Sequence, residues 1–519
     1  MACSLSADRD MICHTKSIPT LTLRQLLLRG RHQLNEIENN EQDQLLPHTL
    51  THSHTHCEST RWLVPVFQRR YCWGISQVKK LVADCVSITT LHTHAHTDTH
   101  SLGRIVVHTQ STDRVLLIDG QQRLTTCTLF LSAIRDFLQL IINTNQESKS
   151  IKSLQILVKN CHHLIYSTTC QHTVLEPSYY DRKSYSACVK SSSSHHAMEE
   201  FHSICEVTDE TCDEEKSVNG TSEVNYVLQT RAYLDKVLAS GSLCDCVARK
   251  LRKRSVTSLG ANCHEEDLGI LTSVCQSIIQ SLTDAFTFLY FETHEQDICS
   301  VYERLAMREA MLMKGFSNAA PGVTLAEADL ARNLITSFGC DSASQISLYQ
   351  QYWAPLEQKA MATEKAEIAA TSTKSTKQSS LIVKSGLPSH TKHKAAMKIG
   401  VTGAMNASAS NGMTSHLQNC LQAFMDSRAV DTPNPHRSIR GSSSSQSPYA
   451  AWKDPGESLF PMYAGLKTCI RDALQTHDLP ITMQTPSPEA EAVVTQLFTD
   501  ILKFALEDYD WSPASKIAL

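Results

Sequence analysis

The chain lacks the sequence motifs of several enzyme classes. It has no Gly-x-x-x-x-Gly-Lys-Ser/Thr loop, which excludes a P-loop NTPase, and no Gly-x-Ser-x-Gly turn that would carry a nucleophilic serine. Of its 19 cysteines, no two have the Cys-x-x-Cys spacing, and the nearest pair, Cys244 and Cys246, has no matching second pair. A zinc site with the usual ligand spacing is therefore not favoured.

Net charge, aromatic residues and long apolar runs are also scarce. A net charge of -5 over 519 residues gives no global reason to expect nucleic-acid binding, although a local basic face stays open. Hydrophobic residues make up 41% of the chain, so a sizeable core can form. The longest apolar runs, such as residues 138–142, are too short to span a bilayer, and residues 1–10 contain no apolar signal segment. We therefore expect an intracellular protein, cytoplasmic or nuclear, with reduced thiols and no membrane partner. The oligomeric state stays open.

Several segments contain too few large apolar residues to fold by themselves. In residues 52–56 and 92–100, histidine occupies most of the alternate positions. Residues 191–194 and 442–445 are serine runs. Residues 361–415 are rich in Ala, Ser, Thr and Lys. Such stretches are predicted to be loops or linkers. The histidine tracts could bind metal ions, but sequence expansion is the simpler interpretation.

The remaining segments predict an α+β fold. We expect an α/β domain at residues 1–145, a partly disordered insertion at 146–265, a helical continuation of the first domain at 266–360, a low-complexity linker at 361–415 and a helical region at 416–519. The fold class is thus a small α/β domain followed by a mainly helical body, with low-complexity insertions.

The first ordered segment predicts the order strand, helix, hairpin, tight turn, helix. Pro65 suggests that residues 62–67 form an edge strand, and Ser76 is a candidate N-cap for the helix that follows. Residues 105–107 and 115–118 are rich in β-branched and apolar residues and are separated by a polar turn, which predicts a hairpin. The last helix has an apolar stripe at helical spacing, formed by Leu124, Cys127, Leu131, Ile134 and Leu138.

Later segments are predicted to be mainly helical. Residues 286–291 fit either a strand or the end of a buried helix. Thr324 and Glu327 form a capping-box pattern at the start of a further helix. More helical patches lie near residues 417–425, 459–474 and 490–506.

The turn after the hairpin has the composition of an anion site. Residues 118–123 read Ile-Asp-Gly-Gln-Gln-Arg, so Gly120 would leave room for a ligand oxygen beside the first N–H groups of a helix. Arg123 could bind phosphate through two nitrogens, and Asp119 could hold Mg²⁺ or orient a water molecule. Further candidates are the amides of Gln121 and Gln122 and the hydroxyl of Thr125. From spacing alone, an ordinary turn with a solvated first helical turn stays equally open.

A second cluster combines basic, amide and aromatic side chains. Residues 67–73 read Phe-Gln-Arg-Arg-Tyr-Cys-Trp. Gln68 and Arg69 could complete an anion pocket, and Tyr71 or Trp73 could stack on a nucleotide base. The alternative is that the two aromatic residues anchor the core while the arginines are solvated.

Together these motifs resemble the N-terminal domain of GmrSD-type restriction endonucleases, which belongs to the wider ParB/sulfiredoxin-like group. The matching segments are Pro-x-Phe-Gln-Arg-x-Tyr-x-Trp at residues 65–73, Leu-Gly-x-Ile-Val at 102–106 and Ile-Asp-Gly-Gln-Gln-Arg-Leu-Thr-Thr at 118–126. Weaker matches are Tyr-Glu-Arg-Leu at 302–305 and Leu-x-x-x-Asp-Leu-x-x-Asn at 325–333. The family's second helix normally carries Asn where this chain has Ala306, which weakens the match there.

The resemblance implies nucleotide hydrolysis, coupled in bacterial defence systems to cleavage of modified or foreign DNA. It associates the hydrolysis with the Asp-Gly-Gln-Gln-Arg loop, here residues 119–123. Nuclease members of the family also carry a C-terminal His-Asn-His domain. In this chain His477 is followed by no further histidine, so we do not expect the chain to cut DNA itself.

The sequence therefore predicts a protein that binds or hydrolyses a nucleoside triphosphate, with Mg²⁺ as the cofactor and DNA as a further candidate partner. The alternative is a non-catalytic module that binds DNA or nucleotide through the same pocket. The candidate catalytic residues are Asp119, Gln122 and Arg123, with Asp119 also the metal ligand. The candidate binding residues are Gly120, Gln121, Thr125, Gln68, Arg69 and Tyr71.

Overall fold

The computed structural model describes ten stretches of the chain: residues 19–28, 60–89, 99–146, 150–200, 225–253, 265–315, 327–366, 416–428, 460–479 and 488–511, apart from 112–113, 168–171, 192, 194, 252, 296–297, 340 and 364–365. The chain divides into two compact units, Met1–Glu295 and Gln296–Leu519. Both are mainly helical, and the described strands form one mixed sheet, so the predicted α+β class is confirmed.

The first unit contains a six-stranded sheet. Its strands are β1 (Thr20–Thr22), β2 (Arg61–Leu63), β3 (His100–Thr109), β4 (Arg114–Asp119), β5 (Leu175–Glu176) and β6 (Phe286–Glu292). They lie in the order β1-β6-β3-β4-β2-β5. The pairs β1–β6 and β3–β4 are antiparallel, and the other three pairs are parallel.

The predicted hairpin is confirmed, because β3 and β4 are adjacent and antiparallel, with Val107 opposite Leu117. The predicted edge strand is wrong. β2 is hydrogen-bonded to β4 on one side and to β5 on the other, and Pro65 lies beyond its end. A proline there removes no hydrogen bond from the sheet, so it says nothing about whether the strand is central or peripheral.

The described part of the first unit includes eight α-helices. They are α1 (Leu23–Leu27), α2 (Ile75–Ile88), α3 (Gln121–Thr144), α4 (Ile151–Ile165), α5 (Arg182–Lys190), α6 (Tyr226–Ala239), α7 (Ser242–Lys250) and α8 (Glu265–Gln280). The N-cap of α2 is Gly74, so Ser76 lies within the first turn and its prediction as the cap is wrong. Of the two interpretations left open for residues 286–291, the structure shows the strand, which is β6. Thr324 lies outside the described residues.

The helix α3 forms the centre of the first unit. Its predicted apolar stripe is buried, and so are polar side chains on its other faces, including Thr128, Ser132 and Arg135. By length and composition α3 could cross a membrane, but 78% of its most apolar stretch is buried inside the fold. Such burial is typical of a core helix. The helix ends at Thr144, and the side chain of the C-cap residue, Asn145, donates a hydrogen bond to the carbonyl oxygen of Ile141.

The second unit is built from helices. Its described α-helices include α9 (Ile298–Gly315), α10 (Glu327–Ser337), α11 (Ser342–Leu348), α12 (Pro461–Thr476) and α13 (Pro488–Lys503). Residues 354–363 and 416–428 are also helical. Within α10, Arg332 is buried and pairs with Asp329 at 2.7 Å and with Glu357 at 3.1 Å. Asn333 donates a hydrogen bond to the carbonyl oxygen of Cys299. Asp329 and Asn333, the Asp and Asn of the 325–333 motif, are therefore already engaged in an ion pair and a hydrogen bond within the second unit.

Candidate functional site

The turn between β4 and α3 requires a glycine. Gly120 has a φ of +100°, a left-handed conformation, and a Cβ at this position would lie 2.8 Å from Cγ1 of Ile105. The backbone N–H of Gly120 donates to Oδ1 of Asp119 at 2.7 Å. In the described part of the chain, no side chain caps the N-terminus of α3. The positive end of the dipole of this 24-residue helix therefore lies uncapped at the turn.

Two arginines surround the single carboxylate of this turn. Nε of Arg104 donates to Oδ2 of Asp119 at 2.7 Å, and Nη2 of Arg123 lies 3.6 Å from Oδ1. The three side chains are 21% to 24% exposed, so solvent and ligands can reach them. Two guanidinium groups therefore lie against one carboxylate at the N-terminus of the helix. That combination of charge and helix dipole attracts anions.

Arg123 is held in place by the β3 segment. Its Nη1 donates to the carbonyl oxygen of Leu102 at 2.5 Å and lies above Gly103. Gly103 has a φ of +97°, and a Cβ there would lie 2.4 Å from that Nη1. The Leu-Gly pair of the 102–106 motif therefore positions the arginine of the Asp-Gly-Gln-Gln-Arg motif.

Two glutamine amides join the predicted clusters. Nε2 of Gln121 donates to the carbonyl oxygen of Arg69 at 2.7 Å. Gln122 donates to the carbonyl oxygen of Arg70 and accepts from the backbone N–H of Cys72, each at 2.9 Å. Both glutamines are buried. The structure thus brings the 67–73 segment against the first turn of α3, with the amides forming the connection.

The other predicted binding residues lie deeper. The amide of Gln68 donates to the carbonyl oxygen of Leu117, and the side chain of Thr125 is buried. The hydroxyl of Tyr71 contacts those of Thr126 at 2.8 Å and Thr230 at 3.2 Å, and burial raises the pKa of this phenol well above its usual range. In this conformation the Tyr71 ring packs in the core, and its role in stacking on a base stays a prediction.

Sequence reasoning missed Arg104, which forms the shorter of the two ion pairs of Asp119. The antiparallel hairpin brings β3 beside Asp119, but the register shifts between Val106 and Val107. An irregular register cannot be derived from alternation of side chains, because one inserted residue reverses which side chains share a face. The available signal was a basic residue placed directly after the Leu-Gly pair and before the apolar residues 105–107.

The donor set of this turn does not fit a Mg²⁺ ion held by the protein alone. Both oxygens of Asp119 already face guanidinium or backbone N–H groups. Among the residues that the structure describes, no group of three His, Cys, Asp or Glu side chains could hold a metal ion. Mg²⁺ prefers carboxylate oxygens and water, so Asp119 as it stands is a poor ligand.

A family model described as "GmrSD restriction endonuclease, N-terminal domain" matches residues 52–314. The match includes the segments 65–73, 102–106 and 118–126 and the Tyr-Glu-Arg-Leu segment of α9, and it ends before residues 325–333. No curated protein matches the chain.

Proposed function

The chain belongs to the family of GmrSD restriction endonuclease N-terminal domains, and from this membership and the geometry at Gly120 we propose that it binds and hydrolyses a nucleoside triphosphate at the N-terminus of α3. The observation that carries the proposal is the position of Arg104 and Arg123 around one carboxylate at an uncapped helix end. Phosphate groups bind at such ends because backbone N–H groups and the helix dipole both favour negative charge.

Arg123 is the residue best placed to bind phosphate. Its contact to Asp119, at 3.6 Å, is longer than the 2.7 Å contact of Arg104, so an incoming phosphate oxygen can replace it more easily. The guanidinium would then neutralise the charge that develops on the phosphate during hydrolysis. Gly120 leaves room for the phosphate oxygens to approach the backbone.

The remaining side chains support this position. Gln121 and Gln122 keep residues 69–72 against the helix start, so in this proposal they position the loop. Asp119 orients the two arginines and the Gly120 N–H. Mg²⁺ stays a prediction, and since Asp119 does not fit it alone, the proposal contains no step that depends on the metal.

The first test is NTP turnover by wild type, Asp119→Ala and Arg123→Ala, each with Mg²⁺ and with a chelator. Arg123→Ala should lower turnover by about 100-fold or more, because a charge-stabilising donor is lost. Arg249→Ala is the matched control, since Arg249 is an exposed arginine on α7 that bonds within its own helix. Equal turnover in wild type, Asp119→Ala and Arg123→Ala would contradict the proposal.

The second candidate function is binding without hydrolysis, either of a nucleotide or of DNA. It is favoured by the pairing of Asp119 with two arginines, which leaves this carboxylate poorly placed to activate a water molecule. Binding that weakens in Arg123→Ala while wild type shows no turnover would select this alternative. Under either function we propose that these residues do not cleave DNA by themselves.

A further inference from the structure

A second basic cavity lies between α3 and α4, away from the Gly120 turn. Its volume is about 250 Å³. The polar side chains that line it are Arg135, Asp136 and Gln139 of α3 and Lys159, His162 and His163 of α4.

Arg135 is the buried polar group of this cavity. The residue is 8% exposed, its Nε donates to Oδ1 of Asp136 at 2.7 Å and its Nη2 donates to the carbonyl oxygen of Val189 at 2.7 Å. These bonds fix the plane of the guanidinium. Its third nitrogen, Nη1, has no hydrogen-bond partner among the described residues, so it can donate to a ligand.

The carboxylate beside it, that of Asp136, is shared with a second arginine. Oδ2 of Asp136 accepts from Nη2 of the buried Arg231 at 2.6 Å, and Arg231 also pairs with Asp235 at 2.9 Å. Two arginines and two carboxylates form a neutral network. Lys159 therefore adds a positive charge to the lining of the cavity.

The basic side chains of α4 share one face, because residues 159, 162 and 163 have the i, i+3, i+4 spacing. The ring of His162 stacks on Tyr166 with centroids 5.3 Å apart, which holds its orientation. Burial lowers the pKa of His162, and the charges of Arg135 and His163 lower it further, against an opposing effect of Asp136. Arg135 of α3 and Lys159 of α4 thus place two positive side chains on the lining of one cavity.

We propose that this cavity binds the phosphate group of a small phosphorylated molecule, with Arg135 as the buried donor and Lys159 as the mobile one. The site is separate from the Gly120 turn. Arg135 lies 12 positions after Arg123 on the same helix, which at about 1.5 Å per residue is about 18 Å along the axis. Failure of one site therefore leaves the other intact.

The test uses the full chain and inorganic pyrophosphate, titrated by calorimetry into the Arg123→Ala protein so that the turn does not contribute. We expect binding in this background and a loss of at least about tenfold in affinity when Lys159→Glu is added, because a charged donor becomes a like charge. Lys152→Glu is the matched control: Lys152 is an exposed lysine of α4 outside the cavity, and its affinity should change less than twofold.

A second measurement on the wild-type chain does not depend on folding of a variant. Amine-reactive labelling read by mass spectrometry should show Lys159 protected by pyrophosphate and Lys152 unprotected, compared with chloride at equal ionic strength. Absence of binding to the Arg123→Ala protein together with unchanged labelling of Lys159 would overturn the proposal. Equal loss of affinity in Lys159→Glu and Lys152→Glu would also overturn it, since only general charge would then matter.

Discussion

Gly103 and Gly120 show how single residues define the candidate site. Both have positive φ values, of +97° and +100°, and both leave space that a neighbouring side chain or backbone fills. Gly120 allows the strand to turn into α3, whereas Gly103 makes room for the guanidinium of Arg123. The glycines therefore act on the two parts of the anion site, the helix end and the arginine.

Gly103→Ala should displace Arg123 and lower stability. The new Cβ would lie 2.4 Å from Nη1 of Arg123, and the left-handed conformation adds strain of about 1–3 kcal/mol. Thermal unfolding with and without NTP should show a lower Tm and a smaller stabilisation by NTP than in wild type. Gly269→Ala is the control: Gly269 lies inside α8 with nothing within 4 Å of its added Cβ, so this change should stabilise by about 0.5–1 kcal/mol. A Gly103→Ala protein with wild-type Tm and NTP response would contradict the role given to this glycine.

At the level of elements, α3 connects the sheet, the 67–73 segment and the neighbouring helices. Its first turn holds the 67–73 segment through Gln121 and Gln122, and Tyr71 reaches from that segment to Thr126 on α3 and Thr230 on α6. Further along, Arg231 of α6 meets Asp136 and Ser132 of α3. One helix thus carries both the Gly120 turn and the basic cavity.

Gln122→Ala should detach residues 70–72 from α3. The substitution leaves the carbonyl of Arg70 and the N–H of Cys72 without this partner, and a buried polar group left unsatisfied costs about 1–3 kcal/mol. Limited proteolysis should then cleave within residues 67–73 faster than in wild type. Gln155→Ala, at an exposed position of α4, should leave the cleavage rate unchanged. An unchanged rate in Gln122→Ala would show that other contacts hold the segment.

At the scale of the whole molecule, the burial of the cysteines shows which of them lie in the core. Cysteines 85, 127, 161, 188, 244 and 275 are buried in the first unit, and all the cysteines that the structure describes are free thiols. The reduced state of these thiols in the cell and the cellular compartment both stay predictions. Burial raises the pKa of Cys85 to about 12, because the thiolate cannot be solvated there.

Alkylation should therefore separate buried from partly exposed thiols. At pH 8 Cys85 is protonated and buried, so it should react much more slowly than Cys246, which is partly exposed on α7. The unfolded chain releases the Cys85 proton near pH 9.0 and the folded chain only near 12, so this thiol's contribution to stability falls as pH rises across that window. Peptide mapping after timed alkylation measures the rates, with the denatured chain as the control in which both should react alike. Equal rates in the folded chain would contradict the described core.

The sequence by itself determined the local features of this protein. Apolar spacing and turn residues were enough to predict the hairpin, the turn at Gly120 and the long helix after it, because each depends on residues close together in the chain. The three motifs that carry the family resemblance could also be recognised in the sequence, and the family match covers them. The functional roles of Asp119, Gln122 and Arg123 stay predictions.

Only the tertiary structure decided which partners these residues have. β2 is an internal strand because Trp62 pairs with Leu175, more than a hundred positions later, and no local pattern contains that pairing. Arg104 reaches Asp119 through a register shift, and Gln122 and Tyr71 are satisfied by groups on other elements. The basic cavity likewise depends on the packing of α3 against α4 and of Arg231 against Asp136. These contacts form because buried polar groups need hydrogen-bond partners. In a packed core the partners come from elements that are distant in sequence, so the whole fold decides them.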